Sequence, residues 1–179
     1  MKRLALAILT SAILAPCAHA QPSSQTYYAF LRDDGRTWCA FKDPAQLHSA
    51  ATSFTDAVSV TYASDRLDEV VYRVEPESGD WLVIDRYTPA NGGWMLRRTS
   101  AILESTGRRV TQEANVRESG PTPLRVVNVT TLDGDHPADL SGIDIPEVPI
   151  LTRPSEGAFV QVIGHMRSRN LSTLCEAPG

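Results

Sequence analysis

The chain has 179 residues, of which 42% are hydrophobic, and its net charge at pH 7 is −4. A chain of this length can bury a sizeable core within one domain. The acidic balance disfavours nucleic acid and anionic membrane surfaces as partners, because both are recognised through a surplus of basic side chains.

The N-terminal segment has the pattern of a secretory signal peptide. A basic head at residues 2–3 precedes an apolar run at residues 4–14 that is too short to span a bilayer. Small residues at 18 and 20 suit the signal peptidase pocket, so we expect cleavage after Ala20. Residues 21–179 are then the mature chain, and the short signal favours the bacterial periplasm. The net charge becomes about −6, because two of the 17 basic residues are lost with the signal.

Three cysteines are present, and Cys17 lies in the segment that we expect to be removed. A lipid anchor at Cys17 is the alternative, but Pro16 fits a lipoprotein cleavage site badly. Cys39 and Cys175 then remain as an even pair in an exported chain, and such a pair most simply forms one disulfide. We therefore predict a Cys39–Cys175 disulfide and no anchor.

The first part of the mature chain predicts a hairpin and then a short helix. Two aromatic, alternating runs at residues 26–32 and 37–42 flank an Asp-Gly turn at residues 33–36. Asp43 and Pro44 provide an N-cap and a first-turn proline, and the apolar residues that follow repeat at helical spacing. We expect one short helix here and little helix elsewhere.

From Asp56 onward the hydrophobic period changes to two, which is typical of strands. Asn91-Gly92-Gly93 suits a tight hairpin between two of them. Including the first hairpin, about nine strands are predicted, at residues 26–32, 37–42, 58–62, 70–74, 81–88, 94–103, 110–116, 124–132 and 158–166. They predict a mainly β fold over residues 21–179: a single antiparallel meander that forms a sandwich, a barrel or a curled sheet.

The segment at residues 133–157 interrupts this pattern. It carries four prolines and several turn-forming residues, which predict a long irregular crossing. Loops of this length are often functional. The simpler interpretation is a strap across an open edge or end of the sheet, where proline blocks further strand pairing.

The sequence lacks the common signatures of catalysis and of metal binding. It contains no GxSxG elbow, no GxxxxGK phosphate loop, no HExxH motif and no EF-hand loop. The densest set of candidate metal ligands is Asp133, Asp135, His136 and Asp139. Pro137 interrupts the spacing that a calcium loop needs, so we expect no metal and no cofactor. His165 alternates with apolar neighbours, and we expect a hydrogen-bonded structural residue on a strand.

One group of aromatic and basic residues predicts a ligand site in the strands at 81–88 and 94–103. Aromatic rings could contact the tail of an amphipathic ligand, while guanidinium groups bind an anionic head. The candidate ligand-binding residues are Trp81, Tyr87, Trp94, Arg97 and Arg98. Alternatively, the tryptophans belong to the core and the arginines form cross-strand pairs with Glu75, Asp85 or Glu113.

Three functional hypotheses follow. The first is an exported, non-enzymatic β-domain that binds a protein or an envelope component in the periplasm. The second is a carrier or sensor of an amphipathic ligand in a curled-sheet groove. The third is a hydrolase whose carboxylates, from Asp85, Asp133 or Asp135, are brought together by folding. The missing catalytic signatures favour the first.

Overall fold

The computed structural model describes residues 23–46, 56–74, 81–102, 108–131, 134–136, 145 and 147–177. The predicted signal peptide and Cys17 lie outside these residues. The same holds for Glu75, Asp133 and Asp139 from the sequence analysis. All structural statements below concern the described residues.

The described residues form one open antiparallel sheet, which confirms the predicted mainly β meander. Its eleven strands are β1 (Ser24–Leu31), β2 (Trp38–Phe41), β3 (Asp56–Ala63), β4 (Arg66–Val74), β5 (Trp81–Ala90), β6 (Gly93–Ile102), β7 (Arg109–Arg117), β8 (Gly120–Pro121), β9 (Arg125–Thr131), β10 (Gly134–His136) and β11 (Thr173–Glu176). The order across the sheet is β10-β9-β7-β6-β5-β4-β3-β1-β2-β11, and β8 pairs beside β7. The edges β10 and β11 do not meet, so the sheet does not close into a barrel.

The turn between β5 and β6 sets the register of the centre of the sheet. Ala90 pairs with Gly93 across the two-residue turn, in which Gly92 has a φ of +75° that favours glycine. Gly93 itself packs against β7, because a Cβ there would stand 2.2 Å from the Val116 carbonyl oxygen. From this turn, the pairing of β5 with β6 continues without a shift to Trp81 and Ile102.

The prediction of a strand at residues 158–166 is wrong, because a helix spans Ala158–Ser168. Phe159, Val162, Ile163 and Met166 are buried, and their spacing is that of one helical face. As a strand, the segment would place Phe159 and Ile163 on the same side as the polar Gln161. The helical period buries all the large apolar side chains together, and this burial decides the conformation. No helix within the described ranges is both long and apolar enough to cross a membrane.

The predicted N-terminal helix begins where the sequence indicates. Pro44–Gln46 have helical backbone, and the Asp43 carboxylate accepts a hydrogen bond from the Ala45 N–H at 2.9 Å. The residues that would continue this helix, 47–55, lie outside the described part of the chain. Within the predicted irregular segment, β10 and a short 3-10 turn at Pro154–Glu156 are regular elements.

The hydrophobic core lies on the inner face of the sheet, where the helix packs against β1 and β2. Its largest fully buried apolar side chains are Tyr87, Leu96, Ile163, Met166, Val60, Val70, Val116 and Val162. Burying one such side chain contributes about 1.5–3 kcal/mol. Ile150 and Leu151 pack against the same core, so the irregular segment before the helix also covers part of the inner face.

Cys39 and Cys175 form the predicted disulfide. They lie directly opposite each other where β2 pairs with the edge strand β11. The bond therefore joins the C-terminal edge of the sheet to the first hairpin, across 136 positions of sequence.

Replacing both Cys39 and Cys175 by alanine should lower the free energy of unfolding by up to about 5 kcal/mol, because the bond restricts a long loop in the unfolded chain. Thermal denaturation under non-reducing conditions measures the change. Wild-type protein heated with a reductant should unfold at the temperature of the variant. An unchanged midpoint in the variant would show that the bond does not stabilise the fold.

Candidate functional site

A row of polar side chains crosses the apolar inner face of the sheet. It consists of Tyr72 on β4, Asp85 on β5, Arg98 on β6 and Gln112 on β7, each opposite the next in the strand register. The next row toward the turn is formed by Val70, Tyr87, Leu96 and Ala114. All four of these side chains are buried, so the polar row lies inside the core rather than at its margin.

Asp85 and Arg98 form a buried ion pair at the centre of the row. Arg98 Nε donates to Asp85 Oδ1 and Arg98 Nη2 donates to Asp85 Oδ2, both at 2.7 Å. The two side chains are 1% and 3% exposed, respectively. A paired, bidentate geometry of this kind is what allows two charges to stay in a low-dielectric interior.

The same network holds the segment that precedes the helix, which we call the strap and define as residues 147–153. Arg98 Nη1 donates to the Val148 carbonyl oxygen at 2.8 Å. The Leu151 N–H donates to Tyr87 Oη at 3.0 Å, and this hydroxyl donates to Asp85 Oδ2 at 3.2 Å. Backbone atoms of the strap therefore complete the hydrogen bonding of the buried pair and of Tyr87.

Burial raises the pKa of Tyr87, and the negative charge of Asp85 raises it further. The pKa of Tyr72 is raised by burial and then by Asp56, to which its hydroxyl is hydrogen-bonded. Burial also raises the pKa of Asp56. Both tyrosines therefore stay protonated at neutral pH and act as hydrogen-bonding groups, not as bases.

Within the described part of the chain, two buried oxygens in or beside the polar row lack a hydrogen-bond partner. Ser100 Oγ and Gln112 Oε1 are buried without a hydrogen-bond partner among the described residues. Each such atom costs about 1–3 kcal/mol when it is removed from water and left unbonded. Each side-chain nitrogen of Arg98 and each carboxylate oxygen of Asp85 has a partner, whereas one oxygen of Ser100 on β6 and one of Gln112 on β7 have none in the ranges that the structure describes.

Two clefts open beside the strap. The first has a volume of about 550 Å³ and is lined by Arg98, Gln112, Pro121, Leu124, Ile145, Glu147, Val148, Pro149 and Ile150. The second has a volume of about 680 Å³ and is lined mainly by Trp94, Val116, Arg117, Glu118, Thr152, Arg153 and Glu156. Both combine apolar walls with charged groups, and both lie on the β7 side of the strap.

The predicted ligand-binding residues are distributed over both faces of the sheet. Trp81 is buried, and Tyr87 and Arg98 meet around Asp85 beneath the strap. Trp94 is half-buried and lines the second cleft. Arg97 lies on the outer face, where its Nε is 3.2 Å from Glu113 Oε1. Arg98 pairs with Asp85 and Arg97 pairs with Glu113, as the alternative interpretation of the sequence expected.

Sequence reasoning missed Tyr72, Gln112 and the two strap residues Val148 and Leu151. A signal for the first two was present, since counting back from a two-residue turn at Asn91-Gly92 places Asp85 opposite Arg98. Extending that register to the neighbouring strands would have found the polar row. Val148 and Leu151 join the network through backbone atoms, so the identity of their side chains gives no signal of it.

The remaining candidate residues from the sequence do not assemble into a metal site within the described part of the chain. No group of three His, Cys, Asp or Glu side chains is placed there to hold an ion. Asp135 and His136 belong to β10, which pairs with β9. His165 lies on the helix instead of a strand; it is exposed, and its Nδ1 is 2.7 Å from Glu176 Oε2.

In comparisons with known proteins, no family model, no curated protein and no solved structure matches this chain. Functional inference therefore depends on the strap, the buried network beneath it and the two clefts beside it.

Replacing Arg98 by methionine should destabilise the protein by about 3–5 kcal/mol, because the Asp85 carboxylate is left buried without its counter-charge. The double variant Asp85→Leu/Arg98→Met removes both charges and should recover most of this loss. Urea unfolding of the wild type, of Asp85→Leu, of Arg98→Met and of the double variant measures the interaction free energy between the two charges.

The matched control is Arg97→Met, at the next residue on the opposite face. Its partner Glu113 is solvent-accessible, so the change should stay within about 1 kcal/mol. If the losses of Asp85→Leu and Arg98→Met simply add in the double variant, the two charges do not depend on each other.

Proposed function

We propose that this chain is an exported binding protein that recognises another protein or an envelope component in the periplasm, and that it is not an enzyme. The observation that carries the proposal is the position of Trp94. It is half-buried in an open cleft between the strap and β7, whereas Trp38 and Trp81 are buried in the core.

The surroundings of Trp94 match the anatomy of a binding surface. Arg117 and Arg153 line the same cleft, and Arg153 Nη1 is 3.1 Å from Glu156 Oε2. Protein interfaces commonly place an aromatic anchor near the centre and charged groups at the rim, with tryptophan and arginine enriched among the residues that dominate affinity. The cleft offers such an anchor together with such a rim.

The buried network argues against carboxylate catalysis. Of the three carboxylates considered for a hydrolase, Asp85 is the one whose side chain the structure describes. Arg98 and Tyr87 occupy both its oxygens, and the strap covers it. A general acid or base must reach a substrate, and Asp85 is not accessible to one.

Export is supported by two independent features. The first twenty residues have the pattern of a secretory signal, and disulfides persist mainly in oxidising compartments outside the cytosol. The Cys39–Cys175 bond is compatible with such a compartment. The periplasm is the compartment that a short bacterial signal would give.

A second candidate function, the carriage of a small amphipathic ligand, is favoured by the first cleft. Arg98 and Gln112 supply polar groups there, and Leu124 and Ile150 supply apolar wall. Because Asp85 already neutralises Arg98, an anionic head group gains little at this position. We therefore favour the binding of a partner at the Trp94 cleft over the carriage of a small ligand.

Replacing Trp94 by alanine should weaken partner binding by about thirtyfold, since truncation of a central interface tryptophan costs about 2 kcal/mol or more. Capture of periplasmic proteins from the native host on the immobilised chain, with identification by mass spectrometry, supplies the partner. Biolayer interferometry with that partner then measures affinity.

The control is Met95→Ala, which removes the exposed side chain next to Trp94 on the outer face. Both variants should keep the circular dichroism and melting temperature of the wild type to within a few degrees. Equal affinities of the two variants would contradict the proposed surface. Native mass spectra that retain a small molecule, with no captured partner, would favour carriage instead.

A further inference from the structure

The outer face of the sheet carries a row of arginines although the whole chain is acidic. Arg86 on β5, Arg97 on β6, Glu113 on β7 and Arg125 on β9 lie opposite one another in the strand register. We call Arg86, Arg97 and Arg125 the arginine row. Arg86 pairs with Glu69 and Arg97 pairs with Glu113, so the three arginines and two glutamates give this part of the face a small net positive charge on an acidic chain.

Two members of the row form an unfavourable pair. Arg86 lies directly across from Arg97, and like charges in directly opposed positions destabilise a sheet. The arginine side chains are 53% and 59% exposed, whereas their partners Glu69 and Glu113 are 25% and 29% exposed. The arginine side chains are therefore more accessible to a partner than the carboxylates that partly neutralise them.

Each guanidinium keeps hydrogen-bonding capacity for a further anion. A guanidinium has five N–H donors, and in this structure the ion pairs of Arg86 and Arg97 each engage one nitrogen at the distances of a salt bridge. A carboxylate placed between Arg86 and Arg97 could accept from both and relieve their repulsion. The juxtaposition thus favours an anionic group above this position.

The residues around the row resemble a protein interface. Val71 and Ile84 are half-buried on the same face, and Met95 is among the exposed large hydrophobic residues. Arginine and methionine are enriched in protein–protein interfaces, where aliphatic surface contributes to burial. An anionic lipid bilayer fits less well, because its extended surface would also face the acidic remainder of the chain, whereas a short acidic segment contacts the arginine row alone.

The spacing of the row indicates what kind of segment fits. Neighbouring strands lie about 4.8 Å apart, so Arg125 is about 14 Å from Arg86 across the sheet. An extended chain covers this distance in about four residues. Glu113 stands between Arg97 and Arg125 and disfavours a negative charge at that point.

We propose that the arginine row docks an extended acidic segment of a partner protein that lies across the strands. Acidic side chains at positions i and i+4 of this segment contact the Arg86–Arg97 pair and Arg125. The surface is on the opposite face from the Trp94 cleft, and the proposal does not depend on that cleft.

Fluorescence anisotropy with a labelled serine–glycine peptide that carries two glutamates four positions apart tests this proposal. The mature wild-type protein should bind the peptide, and the same peptide with glutamines should not bind. Arg86→Ser/Arg97→Ser should weaken binding by about tenfold or more, because two charge-assisted contacts are lost. Binding should also weaken as salt is added.

The matched control is Arg66→Ser/Arg169→Ser, which removes the same charge from two exposed arginines outside the row. This control and Trp94→Ala should each leave the affinity within about twofold. If the two double variants weakened binding equally, the effect would come from net charge and not from the arginine row, and the proposal would be overturned. Binding to phosphatidylglycerol vesicles, but not to the peptide, would assign the row to lipid and also overturn it.

Discussion

The buried pair of Asp85 and Arg98 constrains the centre of the inner face of this sheet and the strap that covers it. Two charges taken out of water need each other and need their remaining hydrogen-bonding groups occupied. Asp85 obtains its third bond from Tyr87, and Arg98 obtains its third from the Val148 carbonyl oxygen. The strap thus provides hydrogen bonds that water would otherwise make with this network. If the strap left the sheet, Arg98 and Tyr87 would lose these bonds or would have to bond to water.

The polar groups that hold the strap are therefore distinct from the groups that could bind a partner. Tyr87, Asp85 and Arg98 hold the strap, and the helix covers the inner face near β1 and β2. Trp94 at one end of the strap and the arginine row on the outer face remain accessible in the described part of the chain. We propose partner recognition at both of these surfaces. The two proposals are independent of each other, since the surfaces lie on opposite faces.

The sequence was informative where local chemistry decides structure. Period-two hydrophobicity identified β3–β7, the Asn91-Gly92 turn indicated the β5–β6 hairpin, and the count of cysteines predicted the Cys39–Cys175 bond. It misled at residues 158–166, where the apolar residues fit both a period of two and a helical period. The burial of Val162 and Met166 together with Phe159 and Ile163 distinguishes the helix, because a strand would place these two pairs on opposite faces. The attachments of the strap could not be predicted. They join backbone atoms to side chains 50 and 64 positions away, and backbone atoms are the same in every residue.

The central claim is that the buried pair and Tyr87 hold the strap against the sheet. Native-state hydrogen exchange at the Leu151 amide tests it most directly, because this N–H donates to Tyr87 Oη. If the claim is correct, the Leu151 amide exchanges only when β5 and β6 open, with the same free energy as the Leu96 amide at the centre of the sheet. Exchange of Leu151 at the rate of an unprotected amide, while Leu96 stays protected, would contradict it.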